Sequence, residues 1–139
     1  MLKNIDKLLT GDLLKALSDM GHGDEVVIAD ANFPGETVAT HLIRVPGIDA
    51  ARMAEAVMSV LPLDTYVAEP ACVMDLTDAD KAKGMQPPVI WADFERLCGP
   101  LGKIERFAFY ERARKAALII QTGEERQYGN LLLCKGCVL

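Results

Sequence analysis

The chain has 139 residues, of which half are apolar, a quarter are charged and 6% are aromatic. This composition is typical of one globular domain with a proper core, and it is too apolar for a disordered protein. The net charge of −5 and the pI near 5.0 argue against a nucleic-acid-binding protein and suit a small neutral ligand. No apolar run is long enough to span a bilayer, and charged residues such as Lys3, Asp6, Lys7 and Asp12 interrupt any signal-like start. We therefore expect a cytoplasmic protein with one domain over residues 1–139 that binds neither nucleic acid nor membranes.

The first half of the chain predicts an alternation of helices and strands, because helical spacing of apolar residues alternates with short apolar runs bounded by turn residues. In order, the predicted elements are a helix with Leu13, Leu14, Leu17 and Met20 on one face, a buried strand over 25–30, an extended segment over 37–45, a helix capped by Asp49, and a strand over 66–76.

The second half continues the same alternation. Its predicted elements are an exposed loop or frayed helix over 77–88, a helix over 89–97, a strand over 104–109, a short charged helix over 110–115, and buried strands over 118–120 and 131–133. No internal repeat or linker interrupts this order. The pattern predicts a layered α/β fold.

Two candidate functional residues flank the predicted strand over 25–30. His22 lies between two glycines before the strand, where an imidazole that titrates near neutral pH can approach a ligand closely. Asp30 lies at the carboxyl end of the strand, where open α/β sheets usually place their ligands. The alternative is that the glycines end a helix and form a turn, with His22 solvated between them.

Further candidates lie near the end of the chain. Arg106 falls in a strand-like run and can donate several hydrogen bonds to a ligand, although an ion pair with Glu105 or Glu111 is the alternative. Tyr128, Gly129 and Asn130 offer a hydroxyl, a close backbone approach and an amide, and an ordinary turn is the alternative there.

The four cysteines predict neither redox nor metal chemistry. Cys134 and Cys137 form a C-K-G-C motif, but no chain follows that could make the helix of a thioredoxin-type site. A structural zinc site needs four ligands, and no second close cysteine pair exists. We expect reduced thiols in a final strand.

The sequence also lacks a glycine-rich phosphate loop, a serine nucleophile elbow and an HExxH motif. The candidate residues are instead histidine, aspartate, arginine, tyrosine and asparagine. This set suits acid–base chemistry or the binding of a polyhydroxyl ligand better than phosphoryl or acyl transfer.

Four stretches of the chain resemble the L-fucose mutarotase and D-ribose pyranase family. They are M-G-H-G-D-E-x-x-x-x-D-A-x-F-P near the start, R-F-A-F-Y-E-R-A-x-K-A from residue 106, T-G-E, and Y-G-N-x-L-L-x-K-G near the end. The similarity runs in order over nearly the whole chain and is closer to the fucose branch, with residues 65–100 the least similar part.

This resemblance implies a single layered α/β/α domain of the ribose pyranase and fucose mutarotase type. It implies an isomerase that interconverts the anomers of a free monosaccharide, most simply L-fucose, without metal or other cofactor. It also implies a ring-like homo-oligomer, often a decamer, with sites at subunit interfaces. His22 matches the proton donor of the family, and the matches to its substrate-binding positions are Asp30, Arg106, Tyr128, Gly129 and Asn130. The alternatives are pyranose–furanose isomerisation of the ribose type and a non-catalytic sugar-binding accessory protein.

Overall fold

A computed structural model describes residues 1–139 and contains one six-stranded sheet with the strand order β2-β5-β1-β6-β3-β4. The strands are β1 (Glu25–Ala29), β2 (Leu42–Val45), β3 (Ala71–Met74), β4 (Gly102–Ile104), β5 (Leu118–Thr122) and β6 (Leu131–Cys134). All pairings are parallel except those of β6, which runs antiparallel to β1 and β3. β6 is therefore the one reversed strand in an otherwise parallel sheet.

Helices cover both faces of this sheet. They are α1 (Gly11–Asp19), α2 (Gly35–Val38), α3 (Ala50–Met58), α4 (Asp78–Ala82), α5 (Val89–Cys98) and α6 (Arg106–Lys115). α1, α3 and α5 pack on one face, and α2 and α6 pack on the other. The predicted α/β/α layering is confirmed, and none of the helices is long and apolar enough to cross a membrane.

The central strands are buried on both faces, so each one contributes to two cores. In β1, Val26 and Ile28 belong to the core under α1, α3 and α5, whereas Val27 and Ala29 belong to the core under α6. This alternation follows from the two-residue period of a strand. It explains why these strands are continuous apolar runs in the sequence.

Several predicted boundaries are correct. Asp49 caps α3, because its side chain accepts a hydrogen bond from the backbone N of Arg52 at 2.7 Å. The helix predicted over 89–97 is α5, and the strands predicted over 118–120 and 131–133 are β5 and β6. The loop or frayed helix predicted over 77–88 contains the short helix α4.

Three predicted elements differ from the structure. The extended segment over 37–45 begins as the helix α2, and only its end forms β2. The strand predicted over 66–76 is limited to β3, because the preceding residues form bends up to Pro70. The strand predicted over 104–109 is wrong, because β4 ends at Ile104 and Glu105 starts α6 by accepting a hydrogen bond from Ala108 N.

The topology separates two edges of the sheet. One edge collects the carboxyl ends of the parallel strands together with the start of β6, so Asp30, Arg106 and Asn130 lie there. The opposite edge collects the amino ends of the parallel strands and the end of β6, so His22 and Lys135 lie there. A ligand site is expected at the first edge, as in other open α/β sheets.

Candidate functional site

A cavity of about 400 Å³ opens at the carboxyl edge of the sheet. Its lining is mostly polar or aromatic and consists of Asp30, Asn32, Phe33, Met74, Thr77, Asp80, Arg106, Tyr110, Gln127, Tyr128 and Asn130. Four of the six predicted site residues, Asp30, Arg106, Tyr128 and Asn130, are therefore brought together. A mixture of hydrogen-bonding groups and apolar walls is typical of a small-molecule site.

Asp30 and Asn130 form a buried pair at the base of this cavity, with only 7% and 4% of their surfaces exposed. Asn130 accepts a hydrogen bond from the backbone N of Asp30 at 2.8 Å and donates through Nδ2 to Asp30 Oδ2 at 3.1 Å. The other carboxylate oxygen of Asp30 accepts from the backbone N of Asn32 at 3.0 Å. Burial raises the pKa of Asp30 above its ordinary value, although these hydrogen bonds oppose the shift. The pair places a hydrogen-bonded carboxyl group at the base of the cavity.

Arg106 lies in the first turn of α6, and the alternative of an ion pair with Glu105 or Glu111 is not observed. Its guanidinium instead donates to the hydroxyl of Tyr110 at 3.3 Å and lies over the rings of Phe107 and Tyr110, 5.3 and 5.6 Å from their centroids. An arginine held by aromatic rings keeps most of its donors for a ligand.

Tyr128 joins the cavity to the short helix α4. Its hydroxyl donates to Asp80 and accepts from the backbone N of Thr77 at 3.1 Å. Its backbone adopts a left-handed conformation, with φ at 60°. Gly129 does not line the cavity. A Cβ at that position would lie 2.9 Å from Cγ of Glu124, so this glycine allows the preceding loop to pack closely.

His22 lies at the opposite edge of the sheet, so the chain does not place it in the cavity. Its Nε2 lies 3.0 Å from Oδ1 of Asp64, and the two side chains are 44% and 4% exposed. Hydrogen bonds from the backbone N of Tyr66 and from His22 lower the pKa of Asp64, so its carboxylate is ionised and accepts. Nε2 of His22 therefore carries the proton, and Nδ1 stays free of hydrogen bonds within the chain.

Sequence reasoning missed two residues of these sites. Asp64 lies in the loop after α3, and its only local signal is the turn in which its side chain accepts from Tyr66 N two residues later. The strand prediction over 104–109 separates Tyr110 from Arg106, although both lie on α6. On a helix, the spacing of four residues between Arg106 and Tyr110 would have placed both side chains on one face.

A larger cavity of about 630 Å³ lies between α1 and β2 and contains none of the predicted site residues. No group of three or more histidine, cysteine, aspartate or glutamate side chains is arranged to hold a metal ion. All four cysteines are free thiols. Cys134 lies in β6 as expected, whereas Cys137 lies beyond the end of that strand.

Comparison with known proteins adds independent information. Residues 3–138 match the RbsD / FucU transport protein family. The chain is 51% identical to fucose mutarotase from Mus musculus, over 97% of this chain and 94% of that protein. It is 48% identical to fucose mutarotase from Homo sapiens, over 97% of this chain and 93% of that protein.

Solved structures agree with these similarities. The crystal structure of a fucose mutarotase from Streptococcus pneumoniae in complex with L-fucose superimposes with a TM-score of 0.91 at 36% identity, covering 99% of this chain and 100% of that one. Bacillus subtilis RbsD, solved in complex with D-ribose, has the same fold with a TM-score of 0.75 at 24% identity, and each chain is covered in full.

Proposed function

The chain belongs to the RbsD / FucU transport protein family, and from this premise we propose that it is an isomerase that interconverts the α and β anomers of L-fucose. The relatives that support this proposal are fucose mutarotases of 44–51% identity over nearly the full chain. The cavity at the carboxyl edge of the sheet agrees with it, because its carboxylate, amide, guanidinium and hydroxyl groups suit a monosaccharide.

The chemistry needs only proton transfer. Mutarotation opens the hemiacetal when the anomeric hydroxyl loses its proton and the ring oxygen gains one, and closure on the other face reverses these steps. An imidazole can both donate and accept a proton, so it suits this exchange, and general acid–base help of this kind accelerates a reaction by roughly a hundred- to ten-thousand-fold. We assign the proton transfer to His22, oriented by Asp64, and we assign sugar binding to Asp30, Arg106, Tyr128 and Asn130.

We further propose that each complete site uses two subunits of a homo-oligomer. His22 and Asp30 stand at opposite ends of β1, and eight residues of extended chain span roughly 20 Å or more. A monosaccharide ring cannot bridge this gap within one chain. In a ring of head-to-tail contacts, His22 of one subunit can reach the cavity of the next. The exposed ring of Tyr66, whose centroid lies 5.3 Å from that of His22, and the exposed side chain of the next residue, Val67, provide apolar surface for such a contact.

The observation that carries the proposal is this division of the predicted site between two edges of one sheet. The test is saturation-transfer NMR of L-fucose anomers with catalytic amounts of protein. We expect His22→Ala to fold normally, because the side chain is half-exposed, and to lose most of the exchange. Exchange by this variant at the wild-type rate would contradict the proton-transfer role.

Subunit mixing tests the shared site. His22→Ala and Asp30→Ala subunits are each expected to be inactive alone. If both are co-expressed and mix randomly, about a quarter of the sites receive an intact histidine and an intact cavity. Return of activity on mixing supports the shared site, whereas a dilute monomer with full activity per chain contradicts it.

Binding is measured separately by titration calorimetry. Asp30→Asn and Arg106→Ala should each weaken the affinity for L-fucose, since a hydrogen bond to a charged group is worth about 1.5–3 kcal/mol. Unchanged affinity in both variants would remove these residues from the site. A sugar-binding accessory protein would also bind, but it would shift the anomer ratio only in proportion to its own concentration.

Two broader expectations accompany this function. We propose that residues 1–139 act as one mutarotase-like domain, since a single sheet takes its strands from residues 25 to 134. A cytoplasmic location stays a prediction from composition, and cell fractionation is its test. The ribose-type alternative is tested in the same NMR assay with D-ribose as the substrate.

A further inference from the structure

The end of β6 forms hydrogen bonds with two separate parts of the chain. These bonds come from Cys134, the last residue of the strand, and from Lys135 and Gly136, which follow it. On one side, Lys135 O accepts from Gly23 N at 2.8 Å and Lys135 N donates to Asp24 O at 2.9 Å. These two bonds attach to the residues that directly follow His22, so they hold the loop that carries it. The segment 134–136 thereby fixes the backbone position of this loop.

On the other side, the same segment holds the residues around Asp64. Cys134 O accepts from Asp64 N at 3.0 Å, and Gly136 N donates to Pro62 O at 2.8 Å. A Cβ at Gly136 would lie 2.5 Å from Leu63 O and 2.7 Å from Cα of Asp64. Only a glycine permits this approach without a backbone shift, so Gly136 sets how close the aspartate comes.

The side chain of Lys135 adds a third restraint. Its ammonium donates to the backbone oxygens of Leu17, Ser18 and Met20, at 2.8, 3.4 and 2.5 Å. These carbonyls lie at the end of α1, whose last turn contains no basic residue of its own. Three ammonium donors meet three carbonyls that lack helical partners, and a positive charge is favourable at this end of a helix. Lys135 thus fixes the end of α1 from which the His22 loop departs.

We propose that the segment Cys134–Gly136 positions the His22–Asp64 pair for proton transfer, with Lys135 as a positioning residue that acts through His22. This inference rests on the proposed function, since it assumes that His22 moves the proton. The segment touches both halves of the pair and lies at the edge of the sheet opposite Asp30. Its disturbance should therefore change turnover and leave sugar binding by the cavity intact.

The test compares Lys135→Met, Lys135→Arg and the control Lys15→Met in the anomer-exchange assay. Lys15 lies on the same helix α1 but is exposed and pairs only with Asp19. We expect Lys135→Met to lower kcat by about ten- to a hundredfold, because a small misplacement of a catalytic group has effects of this size. KM should stay within roughly twofold of the wild-type value. Lys135→Arg should restore most of kcat, and Lys15→Met should match the wild type.

Histidine NMR supplies a readout that a general loss of stability would not produce. The chain has two histidines, so the imidazole signals of His22 and His41 are separable. We expect Lys135→Met to shift the His22 signal and to leave that of His41 in place. Gly136→Ala is the second variant if Lys135→Met does not fold. It should give the same selective shift and loss of kcat, whereas Gly47→Ala, where a Cβ meets no atom within 4 Å, should do neither.

The outcomes separate the two proposals. If His22→Ala is inactive but Lys135→Met, or Gly136→Ala in its place, turns over at the wild-type rate, the positioning role is overturned and the proposed function stands. A folded variant that raises KM and keeps kcat also overturns the positioning role. If His22→Ala itself is fully active, the proton-transfer assignment fails first, and the positioning role falls with it.

Discussion

Replacing Asn130 by aspartate is the sharpest test of the buried pair in the cavity. The substitution changes one NH₂ group into an oxygen and leaves the shape of the side chain almost unchanged. The new carboxylate can still accept from the backbone N of Asp30, as Asn130 does at 2.8 Å. Its other oxygen, however, replaces the donor that lies 3.1 Å from Oδ2 of Asp30. Two acceptors then face each other on side chains that are only 7% and 4% exposed.

The expected loss of stability is the free-energy cost of keeping one carboxyl group of this pair protonated. Two carboxylates at this distance cannot both ionise when buried, so they share one proton. Keeping an ordinary aspartate protonated at pH 7 costs about 4 kcal/mol, because its pKa lies about three units lower. At pH 4 the same proton costs almost nothing. A loss of this size is a large part of the free energy of unfolding of a typical domain.

The sign of the pH dependence is set by the direction of the pKa shift. Burial already raises the pKa of Asp30 in the folded protein. A carboxyl group with a raised pKa stabilises the fold most below its unfolded pKa, and this contribution is lost as the pH rises through its folded pKa. Asn130→Asp raises the folded pKa of the pair further. Its free energy of unfolding should therefore approach the wild-type value near pH 4 and fall increasingly below it towards pH 7.

Urea unfolding at a fixed protein concentration from pH 4 to 7.5 measures this difference. The matched control is Asn32→Asp, which makes the same change at an exposed position of the same cavity. The control should change stability by less than about 0.5 kcal/mol at every pH. An Asn130→Asp variant whose stability parallels that of the wild type across this range would refute the buried-pair argument.

Three further predictions concern other parts of the chain. Tyr128→Phe removes the hydroxyl that holds the start of α4, so amide hydrogen exchange in α4 should become faster while the strands stay protected. Gly123→Ala should lower the free energy of unfolding by about 1–3 kcal/mol or more, because a Cβ there would lie 2.0 Å from a backbone oxygen, whereas Gly47→Ala should be neutral by the same urea assay. Thiol labelling should modify the exposed Cys137 first and Cys98 slowly, because burial raises the pKa of Cys98 to about 11.

The layered fold was predictable because the core strands carry their signal in a few consecutive residues. Runs such as 118–120 and 131–133 are apolar on both faces and are bounded by turn residues, so no tertiary information is needed to identify them. The strand prediction over 104–109 failed for a physical reason. Phe107 and Phe109 alternate with other residues as in a strand, but Phe107 is exposed and Phe109 is buried against the sheet on a helix. Tertiary packing therefore selects the 3.6-residue period of a helix over the two-residue period of a strand here.

The candidate site was predictable in composition more than in arrangement. The position of Asp30 after a buried strand indicated the carboxyl edge of the sheet, and the structure places Asn130 beside it. The pairing of His22 with Asp64 could not be predicted, because 42 residues separate them and no local pattern links them. The contacts of Lys135 and Gly136 could not be predicted either, since they depend on which loops pack against the end of β6.

β6 runs from the edge of the sheet that carries the cavity to the edge that carries His22. Its length therefore affects the structure at both edges. Asn130 stands before its first residue and Lys135 after its last, so four residues fix the spacing between the cavity and the loop that carries His22. In a library of single-residue insertions, an insertion here should be the least tolerated, because a shift of one residue turns every following side chain to the other face. Loops such as 83–88 do not connect the two edges of the sheet and should accept insertions readily. Divergence of this chain is therefore expected to proceed through its loops, with β6 kept at one length.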